Sequence, residues 1–375
     1  MAGVYLHIPF CKKRCNYCDF YKTTNLNFKT DLISTLIKEI SAKKLYLSEN
    51  KIDTIYFGGG TPSVLDIGEI EMVFKTLFRY IPSNDVTEIT FETNPDDFTI
   101  DYGKQLKNYS PINRISFGLQ SIFDKQLRII GRRHNANEGI EAIERAHKIG
   151  FNNITADLIY GLPDLSLQMW DKTLDVVLNL PIKHLSAYHL TYEEGTPFYA
   201  DLKKGNLKEI DEDLSHQQFE MLIKKTIEKG MEHYEISNFA YPGFESQHNS
   251  NYWTGQPYFG MGPSAHSYYN MKRQWNVSSV QQYIKLFNSD KPYFESEKLS
   301  DIDRFNEIVM LGLRTSKGLS LENIKQLGQN FNEVLEVNIE PYIKEKKLLM
   351  NNGFIAVTPQ YKFITDGIIQ NLFIT

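Results

Sequence analysis

The sequence predicts an α/β fold, an open (partial) TIM-type (βα)6 barrel, followed by a C-terminal winged-helix-like module. Up to about residue 190, six short apolar segments alternate with amphipathic segments. This alternation is expected of parallel strands that are joined by right-handed helical crossovers. Polar residues follow the ends of most predicted strands, as they do at the site-bearing rim of a βα barrel. After about residue 300 the pattern changes to short helices and a hairpin.

The six predicted strands are apolar runs at residues 4–8, 52–57, 86–92, 112–118, 154–160 and 184–190. The predicted helices between them have apolar residues at helical spacing and cover residues 28–40, 66–80, 122–130, 138–149 and 167–178. A Rossmann sheet and an open or closed barrel all fit this order. The polar residues at 58–61, 92, 120 and 157 favour a barrel-type site. An open barrel of six strands would leave a lateral opening for a large substrate.

The chain divides by composition into three predicted regions. Residues 1–200 form the barrel, and residues 201–299 are an extension rich in Tyr, Gly, Asn, Ser and His. Residues 300–375 form the winged-helix-like module, with helices at 302–313, 321–327 and 332–346. Short segments at 348–352, 354–357 and 361–364 follow and predict a small hairpin. Because no helix of this module carries a basic stripe, we expect a lid or docking role and not DNA binding.

The overall composition is that of an ordered protein, with 41% hydrophobic and 23% charged residues. The formal net charge of −5 argues against a dedicated nucleic-acid binder. No apolar run approaches the ~18 residues that a membrane span needs. Unpaired thiols without an export signal predict a cytoplasmic protein.

The chain has three cysteines, Cys11, Cys15 and Cys18, in one C-x3-C-x2-C run. Their odd number and tight spacing exclude a disulfide framework. A structural zinc site would need a fourth ligand, and His7, in a predicted strand, is the nearest candidate. Three thiolates fit an iron–sulfur cluster in which one iron stays free for a substrate or cofactor. We therefore expect a [4Fe–4S] cluster held by these three residues.

Further motifs extend along most of the chain. They are H-I-P-F-C at 7–11, C-N-Y-C-D-F at 15–20, G-G-G-T-P at 58–62, E-T-N-P at 92–95, S-F-G-L-Q-S at 116–121, G-R at 131–132 and D-L-I-Y-G-L-P at 157–163. Together they resemble the radical S-adenosylmethionine (SAM) superfamily. Within it the chain resembles oxygen-independent coproporphyrinogen III dehydrogenase and the HemW-type haem chaperones.

The resemblance implies that SAM chelates the free iron and that the reduced cluster cleaves it to methionine and a 5′-deoxyadenosyl radical. Glycines after a strand let the backbone approach such a ligand closely. Carboxylate and guanidinium groups would bind its amino, hydroxyl and carboxylate groups. The predicted cofactor-binding residues are Tyr5, Tyr17, Gly58, Gly59, Gly60, Thr61, Pro62, Glu92, Gln120, Arg132 and Asp157.

A second motif, H-N-x-x-Y-W at residues 248–253, is a mark of the haem-chaperone branch. His248, Tyr252 and Trp253 combine an imidazole that can ligate haem iron with rings that can stack on a macrocycle. We therefore expect them to contact haem, although a lone histidine is as often structural.

The chain departs from the dehydrogenases at two places. Phe20 stands where those enzymes carry a fourth cysteine, and their N-terminal extension has no counterpart before Cys11. Both departures argue against decarboxylation, so we expect a haem chaperone that binds the cluster, SAM and haem and passes haem to an acceptor protein. The alternative is coproporphyrinogen III oxidation to protoporphyrinogen IX; radical modification of RNA or protein is a third class.

The resemblance also implies partners. A flavodoxin- or ferredoxin-type donor would reduce the cluster, and Lys12, Lys13 and Arg14, between the first two cysteines, could dock such an acidic protein.

Overall fold

The computed structural model describes all 375 residues, and its centre is one large open sheet. The six predicted barrel strands are β1 (Ala2–Ile8), β2 (Ile52–Gly59), β3 (Glu88–Thr93), β4 (Arg114–Gln120), β5 (Asn153–Tyr160) and β6 (His184–His189). Each pairs with the next in parallel register. The strands at the two ends do not pair, so the barrel is not closed. The predicted open α/β architecture is confirmed.

The sheet continues beyond both edges of this open six-stranded barrel. The added strands are β7 (Glu232–Glu235), β8 (Asn238–Ala240), β9 (Tyr258–Met261), β10 (His266–Tyr269), β11 (Lys272–Asn276) and β12 (Phe294–Lys298). Strands β8 and β7 extend the β6 side in antiparallel pairs, whereas β9 pairs in parallel with β1 and leads to β10–β12. The extension at residues 201–299 is therefore part of the sheet, which its composition alone did not predict.

Helices cover the outer face of the open barrel. They are α1 (Lys29–Ala42), α2 (Lys44–Glu49), α3 (Ile67–Leu77), α4 (Ile100–Tyr109), α5 (Asp124–Ile129), α6 (Ala136–Ile149), α7 (Leu167–Val177), α8 (Pro197–Lys203), α9 (Glu212–Glu228) and α11 (Val280–Phe287), whereas α10 (Gln247–Trp253) lies against the amino ends of β2 and β3. Helix α3 begins with a capping box in which Asp66 and Glu69 each bond the other's backbone amide. Outward side chains of the strands pack on these helices in one continuous apolar core.

The C-terminal module has a separate core and its own small sheet. Its elements are α12 (Asp301–Leu313), β13 (Leu319–Ser320), α13 (Leu321–Lys325), α14 (Gln329–Lys344), β14 (Leu348–Asn351), β15 (Phe354–Val357) and α15 (Thr365–Leu372). The first three helices and the three-stranded antiparallel sheet, in this order, form a winged-helix-like unit, and α15 follows as a fourth helix. Residues 361–364 are not extended; they lie in a 3₁₀ helix that Pro359 begins.

The inward side chains of the six strands are mostly polar. Thr90 and Glu92 from β3, Ser116 from β4, and Thr155 and Asp157 from β5 line an interior cavity. Side chains alternate along a strand, so the apolar neighbours of these residues face the helices. The barrel interior is therefore a ligand cavity and not a packed core. None of the helices combines the length and the apolar character that a membrane crossing requires.

Candidate functional site

The cysteine loop leaves the carboxyl end of β1 and is fixed by backbone hydrogen bonds. The Cys11 amide donates to Thr23 O at 2.9 Å, and the Thr23 amide donates to Pro9 O at 2.8 Å. Farther along the loop, the Asn16 backbone amide donates to Ile130 O at 3.0 Å. The Asn16 side chain adds a 2.7 Å bond to Ile129 O. The loop is thus held against both β1 and the segment after α5.

One cavity of about 590 Å³ opens at this loop and extends into the barrel. Eleven residues predicted for the site line it: Cys11, Cys15, Tyr17, Cys18, Gly59, Gly60, Thr61, Glu92, Gln120, Arg132 and Asp157. Tyr5, Gly58 and Pro62 lie beside the cavity and do not line it. The structure therefore brings together most of the residues that the motifs singled out.

Two of the three thiols accept hydrogen bonds from the barrel rim. Thr61 Oγ1 donates to Cys11 Sγ at 3.5 Å, and Arg132 Nη1 donates to Cys15 Sγ at 3.6 Å. Asn94 connects the two donors, because its Nδ2 donates to Thr61 Oγ1 at 3.1 Å and its Oδ1 accepts from Arg132 Nη2 at 2.6 Å. Sequence reasoning did not select Asn94, although it lies only two residues after Glu92.

This donor network tests whether the thiols suit an iron–sulfur cluster. Hydrogen bonds to sulfur stabilise thiolate ligands and tune the cluster potential, so the donor set fits. No three histidine, cysteine or acidic side chains converge as ligands of a single metal ion. A cubane does not need such convergence, because each thiolate binds a different iron. His7 is engaged elsewhere, since its ring nitrogens lie 3.2 Å from Tyr5 OH and 3.1 Å from Tyr21 O.

Close backbone approach explains two of the glycines in G-G-G-T-P. Gly59 has φ +108°, and a Cβ there would lie 2.7 Å from the His7 ring. A Cβ on Gly60 would lie 2.7 Å from the Pro9 carbonyl carbon. Only glycine fits between β1 and β2 at these positions, and the backbone consequently faces the cavity without side chains.

Two partly buried carboxyl groups, Glu92 and Asp157, face the cavity from β3 and β5. Burial raises the pKa of Glu92 to about 7. A 2.7 Å hydrogen bond from Tyr56 OH acts in the opposite direction and lowers the pKa. Burial likewise raises the pKa of Asp157 to about 6, opposed by Ser116 Oγ at 3.0 and 3.1 Å from its two oxygens. Both groups can accept hydrogen bonds from ligand amino or hydroxyl groups, and raised pKa values are common at functional sites.

Two expectations need correction, those for Arg132 and for Lys12. Arg132 is not free to bind a ligand carboxylate bidentately, because its guanidinium already bonds Asn94 and Cys15. Phe20, at the position of the fourth cysteine of the dehydrogenases, lines the cavity mouth and is 67% exposed. Lys12 pairs with buried Asp97 at 2.7 Å, which leaves Lys13 and Arg14 as the exposed cations without an ion-pair partner between the first two cysteines.

The H-N-x-x-Y-W motif forms α10, at the end of the barrel opposite the cysteines. His248 is buried, with Nδ1 2.9 Å from Thr54 Oγ1 and Nε2 2.9 Å from Tyr252 OH. Burial lowers its pKa to about 3, so the ring is neutral. Ligation of haem iron would require breaking one of these bonds. Tyr252 and Trp253 are half-buried, and Trp253 Nε1 has no hydrogen-bond partner. Haem contact by these three residues stays a prediction.

Comparison with known proteins agrees with this architecture. Residues 5–177 match the family model of the radical SAM superfamily, and residues 299–360 match that of the HemN C-terminal domain. The chain superposes on coproporphyrinogen III oxidase (HemN) of Escherichia coli with a TM-score of 0.84. That match covers 99% of this chain and 89% of the enzyme at 22% identity, and it establishes a shared fold.

Several curated proteins are similar over nearly the whole chain. The haem chaperone HemW of Bacillus subtilis is 34% identical over 372 residues, which is 98% of each chain. HemW of Lactococcus lactis is 35% identical over 358 residues, covering 95% of this chain and 93% of that protein. A mitochondrial radical S-adenosyl methionine domain-containing protein 1 of Danio rerio is 30% identical and covers 85% of this chain and 74% of its own length.

The chain is a radical SAM protein, as shown by its open barrel, its three-cysteine loop and its polar cavity together with the matching family model. That class uses a [4Fe–4S] cluster together with SAM. Within it, the full-length similarity shows that the chain belongs to the HemW family.

Proposed function

We propose that this protein is a haem chaperone, which binds haem and transfers it to an acceptor protein. The observation that carries the proposal is 34% identity to HemW of Bacillus subtilis over 98% of both chains. Phe20 in place of a fourth cysteine supports the same conclusion against coproporphyrinogen oxidation. The structural similarity to HemN supports only the fold, because identity there is 22%.

Cys11, Cys15 and Cys18 would hold the cluster, which supplies electrons for reductive cleavage of SAM when both are bound. Thr61 and Arg132 would stabilise the sulfur ligands through the hydrogen bonds already present. Gly59 and Gly60 would present bare backbone to the cofactor, and Glu92 and Asp157 would accept its polar hydrogens. Tyr17 lines the same cavity and would exclude water.

A haem titration of the anaerobically reconstituted protein tests the proposal. We expect a stoichiometric Soret band and, when an apo acceptor protein is added, its replacement by the Soret band of the haem-loaded acceptor. The same samples should be assayed for protoporphyrinogen IX from coproporphyrinogen III, with SAM and a reductant. Product formation without a stoichiometric haem complex would overturn the chaperone proposal in favour of the oxidase.

We further propose a cytoplasmic location and reduction by a flavodoxin- or ferredoxin-type donor that docks at the cysteine loop. Exposed Lys13 and Arg14 support docking of an acidic protein there, because complementary charge steers association. Reversing the charge of Lys13 and Arg14 should slow cluster reduction by such a donor and leave reduction by dithionite unchanged.

The three predicted regions, residues 1–200, 201–299 and 300–375, remain our proposed division of the chain.

A further inference from the structure

Helix α10, which carries the H-N-x-x-Y-W motif, closes the lower end of the barrel. Its residues bond the beginnings of two strands: Asn251 Nδ2 donates to Asp53 Oδ1 at 3.3 Å, and Gln247 Oε1 accepts from Thr87 Oγ1 at 2.6 Å. A Cβ on Gly3 would lie 2.9 Å from the His248 ring, so β1 and α10 are in contact. Asn249 lines the cavity whose upper end holds the cysteines. The helix is therefore the floor of the cavity.

The His248 ring lies within a cluster of aromatic side chains above this floor. Its centroid is 5.1 Å from that of Tyr56, 6.5 Å from that of Tyr5 and 5.0 Å from that of Tyr252. Its two nitrogens bond Thr54 and Tyr252, as described above. His248 therefore contacts four side chains. Its ring packs against Tyr5 and Tyr56, it bonds Thr54, and it both packs against and bonds Tyr252. The histidine itself is 1% exposed.

Two of these residues, Tyr56 and Tyr5, in turn contact side chains nearer the upper end of the cavity. Tyr56 OH donates to Glu92 Oε1 at 2.7 Å. Tyr5 OH lies 3.2 Å from His7 Nδ1, and His7 Nε2 donates to the carbonyl of Tyr21, three residues after Cys18. A carbonyl only accepts, so Nε2 carries the proton and Nδ1 accepts from Tyr5. Both routes therefore begin at His248 and end at the cofactor site.

We propose that His248 is a positioning residue for the SAM site, acting through Tyr56 on Glu92 and through Tyr5 on the cysteine loop. The H-N-x-x-Y-W motif then supports the radical SAM centre from below, whatever else it binds. Partners that orient the groups around a metal centre typically contribute about 10- to 100-fold to affinity or activity. The inference rests on the SAM site and is independent of haem binding.

The test compares His248→Phe, Tyr56→Phe and the double variant with the wild-type protein, all with reconstituted clusters. His248→Phe puts a larger ring in the place of the imidazole and removes the bonds to Thr54 and Tyr252 that orient it, so the contacts with Tyr56 and Tyr5 change; Tyr56→Phe removes only the bond to Glu92. SAM affinity is measured by isothermal titration calorimetry, and the change that SAM causes in the EPR signal of the reduced cluster is recorded. Haem is titrated in parallel. His216→Phe is the matched control, since His216 lies partly exposed on α9, outside this cluster.

We expect each single variant to bind SAM about tenfold more weakly and the double variant to be less affected than the product of the two. The EPR response to SAM should change in His248→Phe and not in His216→Phe. Unchanged SAM affinity in His248→Phe, or effects that multiply fully, would overturn the proposal. Loss of haem binding with intact SAM binding would also overturn it and favour haem ligation by His248. If His248→Phe does not fold, His248→Gln, whose amide can still bond Tyr252, is held to the same criteria.

Discussion

Arg132 Nη1 lies 3.6 Å from Cys15 Sγ, and the second terminal nitrogen of the same guanidinium bonds Asn94. A charged donor is therefore held against one cluster ligand by a side chain that also connects, through Thr61, to Cys11. Donors and positive charge near the sulfurs stabilise the reduced, more negative state of a cluster. The rim of the barrel would thus tune the potential of a cluster that the cysteine loop holds.

Replacing Arg132 should make the cluster harder to reduce. Arg132→Met removes the positive charge and the hydrogen bond to Cys15, so we expect the midpoint potential to fall by on the order of 60 mV, a tenfold change for a one-electron couple. An EPR-monitored redox titration measures this. Arg133→Met is the control, because Arg133 pairs with Asp96 and Asp97. Equal shifts in the two variants would contradict a specific role for Arg132.

Removing one cysteine should eliminate the cluster. Cys15→Ala leaves two thiolates, and we expect the reconstituted protein to lose its brown absorbance, most of its iron and its SAM cleavage. Lys13→Ala, an exposed change in the same loop, should keep all three. Absorbance and iron analysis after anaerobic reconstitution measure the outcome. A normal spectrum in Cys15→Ala would show that the cluster is bound elsewhere.

Glu92→Gln should stabilise the protein more at high pH than at low pH. The folded pKa of Glu92 is about 7 and the unfolded value is 4.5, so the stability it contributes falls as the pH rises through this range. Glutamine keeps an acceptor for Tyr56 and does not titrate. We expect the gain in unfolding free energy to be about 2 to 3 kcal/mol larger at pH 8 than at pH 5.

Urea unfolding of the cluster-free protein at the two pH values tests this expectation, with exposed Glu71→Gln as control. A gain that is independent of pH would mean that the Glu92 carboxyl does not retain its proton near neutrality.

Glu88 should matter for the floor of the cavity. Its carboxylate accepts from the backbone amides of Gln247 and His248 at 3.0 Å and lies 3.7 Å from buried Arg114. Removing one member of a buried ion pair costs about 3–5 kcal/mol. We expect Glu88→Ala to lose that much stability and to speed amide hydrogen exchange in α10. The double variant Glu88→Ala, Arg114→Met should regain part of the loss. Unchanged exchange in α10 would contradict the anchoring role.

The sequence predicted the six barrel strands because each is a buried apolar run that ends in polar residues. It missed α4, in which Gly103 and Leu106 are the only buried residues and the apolar pattern is correspondingly weak. It also read residues 361–364 as extended, although Pro359 begins a helical turn there. The strands β7–β12 were missed because each has only three to five residues, which leaves little periodicity to detect.

The candidate site was predictable to the extent that motifs lie at strand ends. Eleven predicted residues line one cavity because carboxyl ends of parallel strands meet at one rim. What the sequence could not reveal were contacts between distant segments, such as Asn94 between Thr61 and Arg132 or His248 against Tyr56. These contacts join residues that are far apart in the sequence, and they form only when the complete fold brings their side chains together.

Helix α10, at the floor of the barrel, is well separated from the cysteine loop at the opposite end. From Gly3, beside His248, to Ile8, just before the cysteine loop, β1 rises about 3.3 Å per residue, so the two ends are on the order of 15 Å apart. A porphyrin bound at the H-N-x-x-Y-W end would consequently be insulated from a radical generated at the cysteine end. The same protein could then carry an oxidisable cargo without exposing it to its own reactive centre.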